Sequence, residues 1–164
     1  MPEFICNTSP LQYLHQLGHL EILPRLVRVV IVPEAVVREL EIGCRSGCDL
    51  PDAHTLPWVE IRRPISSPAL PLASHLGPGE SAVLALALES PDSTVILDDG
   101  LARQAAEHLD LPLIGTLGLL LNAKRAGFLP AVAPCLDRLN QLRFRVSSST
   151  RTAVLRAAGE AGEA

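Results

Sequence analysis

Two adjacent carboxylates, Asp98 and Asp99, stand where the apolar run TVIL ends and the helical stretch LARQAAEHL begins. Neighbouring like charges repel and resist desolvation, so the pair either caps the helix or holds something positive. Two further acids bear on the choice. Glu80 opens ESAVLALALE with Val83, Leu84 and Ala87 at i+3, i+4 and i+7, a placement that turns its carboxylate inward. Glu39 shares a helical face with Val36 and Ala35. Each acid alone has an ordinary reading. Glu80 at a helix start gains about 0.3–1 kcal/mol from the macrodipole, Asp98 or Asp99 can be an N-cap, and Glu39 can face water. Taken together, four acids from three segments can converge on one sheet edge. Convergent carboxylates repel unless a cation neutralises them, and an all-oxygen donor set suits Mg²⁺ or Mn²⁺. Such ions activate water and stabilise in-line attack on a phosphodiester.

Convergence requires strands that all point the same way. Phe4-Ile5-Cys6 reads as a short buried strand and SPLQYLHQL as the helix after it, with Ser9 as N-cap, Pro10 at the first helical position and Gln12 completing a capping box. VRVVIV (27–32) is β-branched almost throughout and reads as a second strand. PEAVVREL follows as a helix, and 41–57 as loop. WVEI is a short strand, and RRPISSPALPLASHLGPG, with four prolines, an extended excursion. A helix at 80–89, the strand TVIL, the helix LARQAAEHL, the strand LPLIG and the helix TLGLLLNAKRAG complete the alternation. AVAPCLDRLNQL reads as a helix, RFRV as a terminal edge strand, SSTRTAVLRAAGE as a last helix and GEAGEA as a frayed end. Alternating strands and helices indicate α/β architecture, a parallel sheet covered on both faces. Ligands of such sheets lie beyond the carboxyl ends of the strands, where Asn7, Asp98, Asp99 and Thr116 follow their strands directly.

Composition narrows the class. At 164 residues and 48% hydrophobic, the chain has the size and core of one domain. Aromatics are only 3%, which argues against a platform of stacking rings for single strands. No apolar run reaches the roughly 20 residues that span a bilayer, and MPEFICNTSP lacks the basic and apolar regions of a secretory signal. Four irregularly spaced cysteines suit a reducing cytoplasm. Cys44, Cys48 and His54 have a zinc-like spacing but no fourth ligand nearby. The net charge of −4 conceals an asymmetry: residues 124–156 carry +6 and the rest −10. An acidic metal pocket beside a basic phosphate-binding surface would be so divided, and so would a protein with a solvated C-terminal face. Lys124, Arg125, Arg143 and Arg145 are the candidates for tracking phosphates outside the pocket.

The stretches ICNTSPL, VIVPEAVVREL, GPGESAVLALALE, VILDDGLARQAAEHLDLPLIGTLGLLL and AKRAGFLP, in this order and spacing, resemble the PIN-domain superfamily. The particular likeness is to the PIN-like proteins related to bacterial VapC-type toxins. The resemblance implies a three-layer α/β/α fold over residues 1–146, with 147–164 as a C-terminal helix and tail. It also implies an acidic pocket for Mg²⁺ or Mn²⁺ that cleaves RNA. Carried over by position, the first-strand acid falls at Asn7, the early helix glutamate at Glu39, the middle helix acid at Glu80 and the late-strand acid at Asp98 or Asp99. Thr8 and Ser9 match the hydroxyl residues after the first acid, and Thr116 supports from the next strand. Asn7 departs from the usual Asp. An amide oxygen coordinates a cation but brings no charge, so metal affinity and water activation should both fall.

Two functions follow. One is a metal-dependent ribonuclease, the toxin half of a toxin–antitoxin pair, with RNA, an antitoxin and a second copy of the chain as partners and no membrane. The other is a catalytically silent PIN-like protein that binds RNA or a protein partner. Helices 10–18 and 33–41 offer either a homodimer face or core. A receiver-like or small-molecule α/β domain is disfavoured, because GPGES is not a phosphate-binding glycine loop.

Overall fold

A computed structural model of the chain describes residues 2–161. Five strands, β1 (Phe4–Cys6), β2 (Val30–Pro33), β3 (Val59–Arg62), β4 (Thr94–Ile96) and β5 (Leu113–Ile114), form one parallel sheet in the order β3-β2-β1-β4-β5. The inner strands are short and mostly apolar because both sheet faces are covered there, and β2 is buried at every position, whereas the edge strand β3 carries Glu60 and Arg62. Helices α1 (Thr8–Gln16), α2 (Ile22–Val27), α3 (Glu34–Arg45), α4 (Pro78–Glu89), α5 (Gly100–His108), α6 (Thr116–Arg125), α7 (Ala133–Gln141) and α8 (Ser148–Ala157) flank it, giving the expected α/β/α layers. Buried Val83, Leu84, Ala85, Leu86 and Ala87 make α4 apolar nearly all round, as suits a central helix. It lies across β1, β2 and β4 and against α3.

The sheet order decides where a ligand belongs. Registers pair Ile5 with Ile31 on one side and with Val95 on the other, so the chain crosses from β1 outward in both directions. Between β1 and β4 lies the switch point, and a crevice opens there beyond the strand ends. Asn7 and Asp98 emerge at that crevice. Of the segments expected to position the site, most lie where the sequence placed them, and four differ. Val27 closes the unanticipated helix α2, Arg28 turns through φ 57°, and β2 begins only at Val30. Helix α3 continues to Arg45 instead of ending at Leu40, because Gly47 at φ 90° supplies its terminating turn. Helix α1 begins at Thr8 with Asn7, not Ser9, at its N-cap position, and Pro10 fits inside the first turn where no amide partner is needed. RFRV is loop: Arg143 takes φ 67°, the Phe144 amide returns to Leu139 O at 2.9 Å, and the ring packs on Tyr13.

The C-terminal segment is anchored. Glu160 accepts bonds from Lys124 Nζ (3.0 Å) and from the Val132 and Ala133 amides at the start of α7 (2.7 and 3.0 Å). The last three residues of the expected frayed end, 162–164, lie outside the described residues. Leu11, Leu14, Val36, Val37 and Leu40, the apolar stripes weighed as a dimer face, are all buried within the single chain. Among the described residues no helix is long and apolar enough to cross a membrane.

Candidate active site

Glu80 is positioned by the first turn of α4. Its Oε2 accepts the Gly77 amide at 2.9 Å, the half of a capping box that a glycine N-cap allows, and leaves Oε1 without a bond among the described residues. Burial pushes its carboxyl above the ordinary 4.5, the Gly77 amide opposes the shift, and the charges of Asp99 and Glu39 add to it. Those two charges are felt because both acids stand close by.

Glu39 reaches the same place from α3. One oxygen accepts the Gly79 amide at 2.9 Å and the other the Thr8 hydroxyl. Gly79 is the residue that makes this possible. A Cβ there would lie 2.6 and 2.8 Å from the two Glu39 oxygens. Residue 79 was not singled out by its sequence. A glycine beside an acid in a helix's first turn was the available signal, but it does not say which distant carboxylate approaches.

Asp98 and Asp99 resolve the opening puzzle in opposite ways. Asp99 is the N-cap of α5, with Oδ2 accepting from Leu101 and Ala102 amides at 3.0 Å each, while Oδ1 accepts no bond among the described residues. Asp98 turns inward and is held by Thr116, whose amide and hydroxyl bond its two oxygens at 2.8 and 2.6 Å. Burial pushes the Asp98 carboxyl above its usual 3.8, against the Thr116 bonds and the nearby Arg103 guanidinium. Its charge is also felt at the buried Cys6 thiol, which burial already raises. Asp98 therefore stands against the end of β1.

Asn7 occupies that strand end. Its amide donates to Ile96 O at 3.1 Å, tying β1 to β4 beyond the last register pair. The side chain is buried, and Oδ1 has no hydrogen-bond partner among the described residues. A buried acceptor without a donor costs about 1–3 kcal/mol, so this atom is held at the crevice at a loss that a cation would offset.

Three of the acids meet in a cavity of about 280 Å³ lined by Glu80, Asp98 and Asp99 with Ser9, Tyr13, Arg143, Phe144 and Arg145; Glu39 and Asn7 do not line it. Among the described residues neither Arg143 nor Arg145 has a side-chain hydrogen bond or ion pair, so both guanidiniums are free for an anion. Lys124 and Arg125 are not part of the cavity. They form the last turn of α6, whose ten residues run about 15 Å from its Thr116 end, and Lys124 is paired with Glu160. Tyr13 and Phe144, missed from sequence, stand edge to face at 4.9 Å between centroids. No local signal marks two aromatics so far apart as partners.

Among the described residues, no three His, Cys, Asp or Glu side chains come together as a metal site. The four-carboxylate cluster expected from sequence is not preformed, because protein donors hold Glu39 and Asp98 at both oxygens. The donor chemistry nevertheless fits a hard divalent ion. Among the described residues, Glu80 Oε1, Asp99 Oδ1 and Asn7 Oδ1 are oxygens without a hydrogen-bond partner, and oxygen donors of this kind suit such an ion.

A family model described as a PIN domain matches residues 3–160. No curated protein and no solved structure matches the chain.

Proposed function

The chain belongs to the PIN-domain family, a nuclease-type fold, and on that premise we propose that it is a Mg²⁺- or Mn²⁺-dependent endoribonuclease. The toxin half of a toxin–antitoxin pair, working in the cytoplasm, is the biological role that accords with it. The observation that carries this reading is one cavity in which Glu80, Asp98 and Asp99 face two unpaired arginines, Arg143 and Arg145. Acids and unpaired cations lining one cavity suit a polyanion brought to a hydrolytic centre.

A divalent ion, if bound there, would supply an activated water and offset the charge of an attacked phosphate. Glu80, Asp99 and Asn7 would hold it through their free oxygens. Asp98, fixed by Thr116, keeps the end of β4 in place beside them. Glu39 acts at one remove, fixing Gly79 and the turn that carries Glu80, with Thr8 on its other oxygen. Arg143 and Arg145 bind and orient the phosphate, and Ser9 lines the same wall.

A second reading, an RNA- or protein-binding PIN domain without catalysis, draws on Asn7, which contributes no charge, and on the absence of a preformed three-acid group among the described residues. One assay separates them. Cleavage of single-stranded RNA in Mn²⁺ that is abolished by chelator, and falls at least about tenfold in Glu80→Gln, supports the ribonuclease. Binding without cleavage in either metal refutes it in favour of the second reading. A small antitoxin-like reading frame beside the gene would support the toxin role, and co-purification with its product as a complex would test it. A homodimer, if formed, must use surfaces other than the buried stripes of α1 and α3.

A further inference from the structure

A second cavity, of about 470 Å³, opens next to the acidic one and shares Asp98, Phe144 and Arg145 with it. Its apolar lining is Leu113, Ile114 and Leu117, and Gly118 and, from the start of α8, Thr150 also line it. The volume lies in the range of small-ligand sites, roughly 300–1,000 Å³. Three features give it a direction. Phe144 lines both cavities, and its ring stands at an interplanar angle of 83° to Tyr13. Arg145 also lines both, with no side-chain partner among the described residues. Arg103, which donates to Leu97 O at 3.0 Å, lines the second cavity too, so two guanidiniums there outnumber one carboxylate, Asp98, and the groove is cationic.

We propose that this groove receives an unpaired nucleobase of single-stranded RNA, stacked on Phe144, with the adjoining phosphate on Arg145 at the threshold of the acidic cavity. The proposal rests on the ribonuclease reading and adds a base subsite to it. Flat apolar walls, an aromatic face and a guanidinium are what a splayed base and its phosphate require. The scarcity of aromatics excludes a platform for many bases but not one fixed ring for one base. An extended protein segment paired to the β5 edge is the competing occupant, and the edge is too short for it. The Pro112 and Ile114 carbonyls are taken by the Val95 and Leu97 amides at 2.9 and 3.0 Å, which leaves Leu113 alone facing outward. Strand addition depends on a row of such groups.

The test uses the wild-type protein and varies the ligand. Six-nucleotide 2′-O-methyl RNAs, resistant to cleavage, are compared by fluorescence anisotropy with a series in which one abasic position is walked along the strand. The phosphate count is the same throughout. One abasic position should weaken binding on the order of tenfold, and the others should change it little. The Gly118 and Thr150 amide resonances should shift with intact RNA and not with that abasic oligomer. Phe144→Leu, which keeps an apolar contact to Tyr13, should erase the tenfold difference, whereas Arg145→Gln should weaken every oligomer alike. Uniform affinity across the abasic series, with Gly118 and Thr150 unmoved, overturns the base subsite and leaves the ribonuclease reading standing. Failure of any oligomer to bind overturns the RNA reading, and the subsite with it.

Discussion

Gly79→Ala probes the link between the two helices that carry the acids. A Cβ at this position meets Glu39 Oε2 at 2.6 Å, Oε1 at 2.8 Å and Cδ at 2.9 Å, so the carboxylate must withdraw. Withdrawal breaks the 2.9 Å bond from the Gly79 amide and the bond from Thr8. A hydrogen bond to a charged group contributes about 1.5–3 kcal/mol, and the lower part of that range applies because Glu39 is only partly buried. Alanine in place of glycine returns up to about 1 kcal/mol in a helix, less in a first turn. The net expectation is a loss of about 1–2 kcal/mol, or roughly 2–8 °C in Tm for a chain of this length. Urea unfolding of the single mutants and of a Glu39→Ala double mutant measures it. In the Glu39→Ala background the same substitution should be neutral or stabilising, giving a coupling of about 2 kcal/mol. Equal losses in both backgrounds would show that the cost lies in the backbone, and the supporting role given to Glu39 would fall.

Four further outcomes are expected. Asn7→Asp should tighten Mn²⁺ binding on the order of tenfold in calorimetry by adding a charge, and should lower the metal-free Tm because a new carboxylate is then buried near Asp98. Equal affinities would remove Asn7 from the ion. Arg143→Gln with Arg145→Gln should flatten the salt dependence of RNA binding by about 1.4 in logarithmic slope, two single-strand phosphate contacts at about 0.7 each. Lys124→Ala should leave that slope alone and lower stability, through loss of the Glu160 pair; a flattened slope instead would restore Lys124 to the RNA path. The Val132 amide, against some desolvation and with help from the Ala133 amide and Lys124, holds the Glu160 carboxyl below its ordinary 4.5. A lowered folded value means that the unfolded chain binds the proton first. The contribution of Glu160 is therefore fully present above pH 4.5 and fades as pH falls through the lowered folded value. Glu160→Gln should lose this part of the acid dependence in thermal scans from pH 6 to 3, and an unchanged profile would mean that the anchor does not titrate.

The sequence by itself determined the alternation of strands and helices and hence the parallel sheet. Strands buried on both faces must be short apolar runs, and TVIL and the VIV of β2 are such runs whatever surrounds them. It also determined which acids follow strand ends, since parallel strands bring every carboxyl end to one edge. Only the tertiary structure decided what those acids do. The bonds that position them join residues 31, 40 and 18 apart in the chain, and no local pattern records which partner a carboxylate meets. Asp98 and Asp99 are chemically alike and adjacent, yet one faces Thr116 in the crevice and the other caps α5. The +6 segment was visible as charge, but α6 carries Lys124 away to Glu160 while the turn at Arg143 carries Arg143 and Arg145 back to the cavity. That turn, and the meeting of Phe144 with Tyr13, arise from α7 packing into place. Chain direction at such a turn is set by long-range contacts, which is why RFRV has the composition of a strand and the structure of a loop.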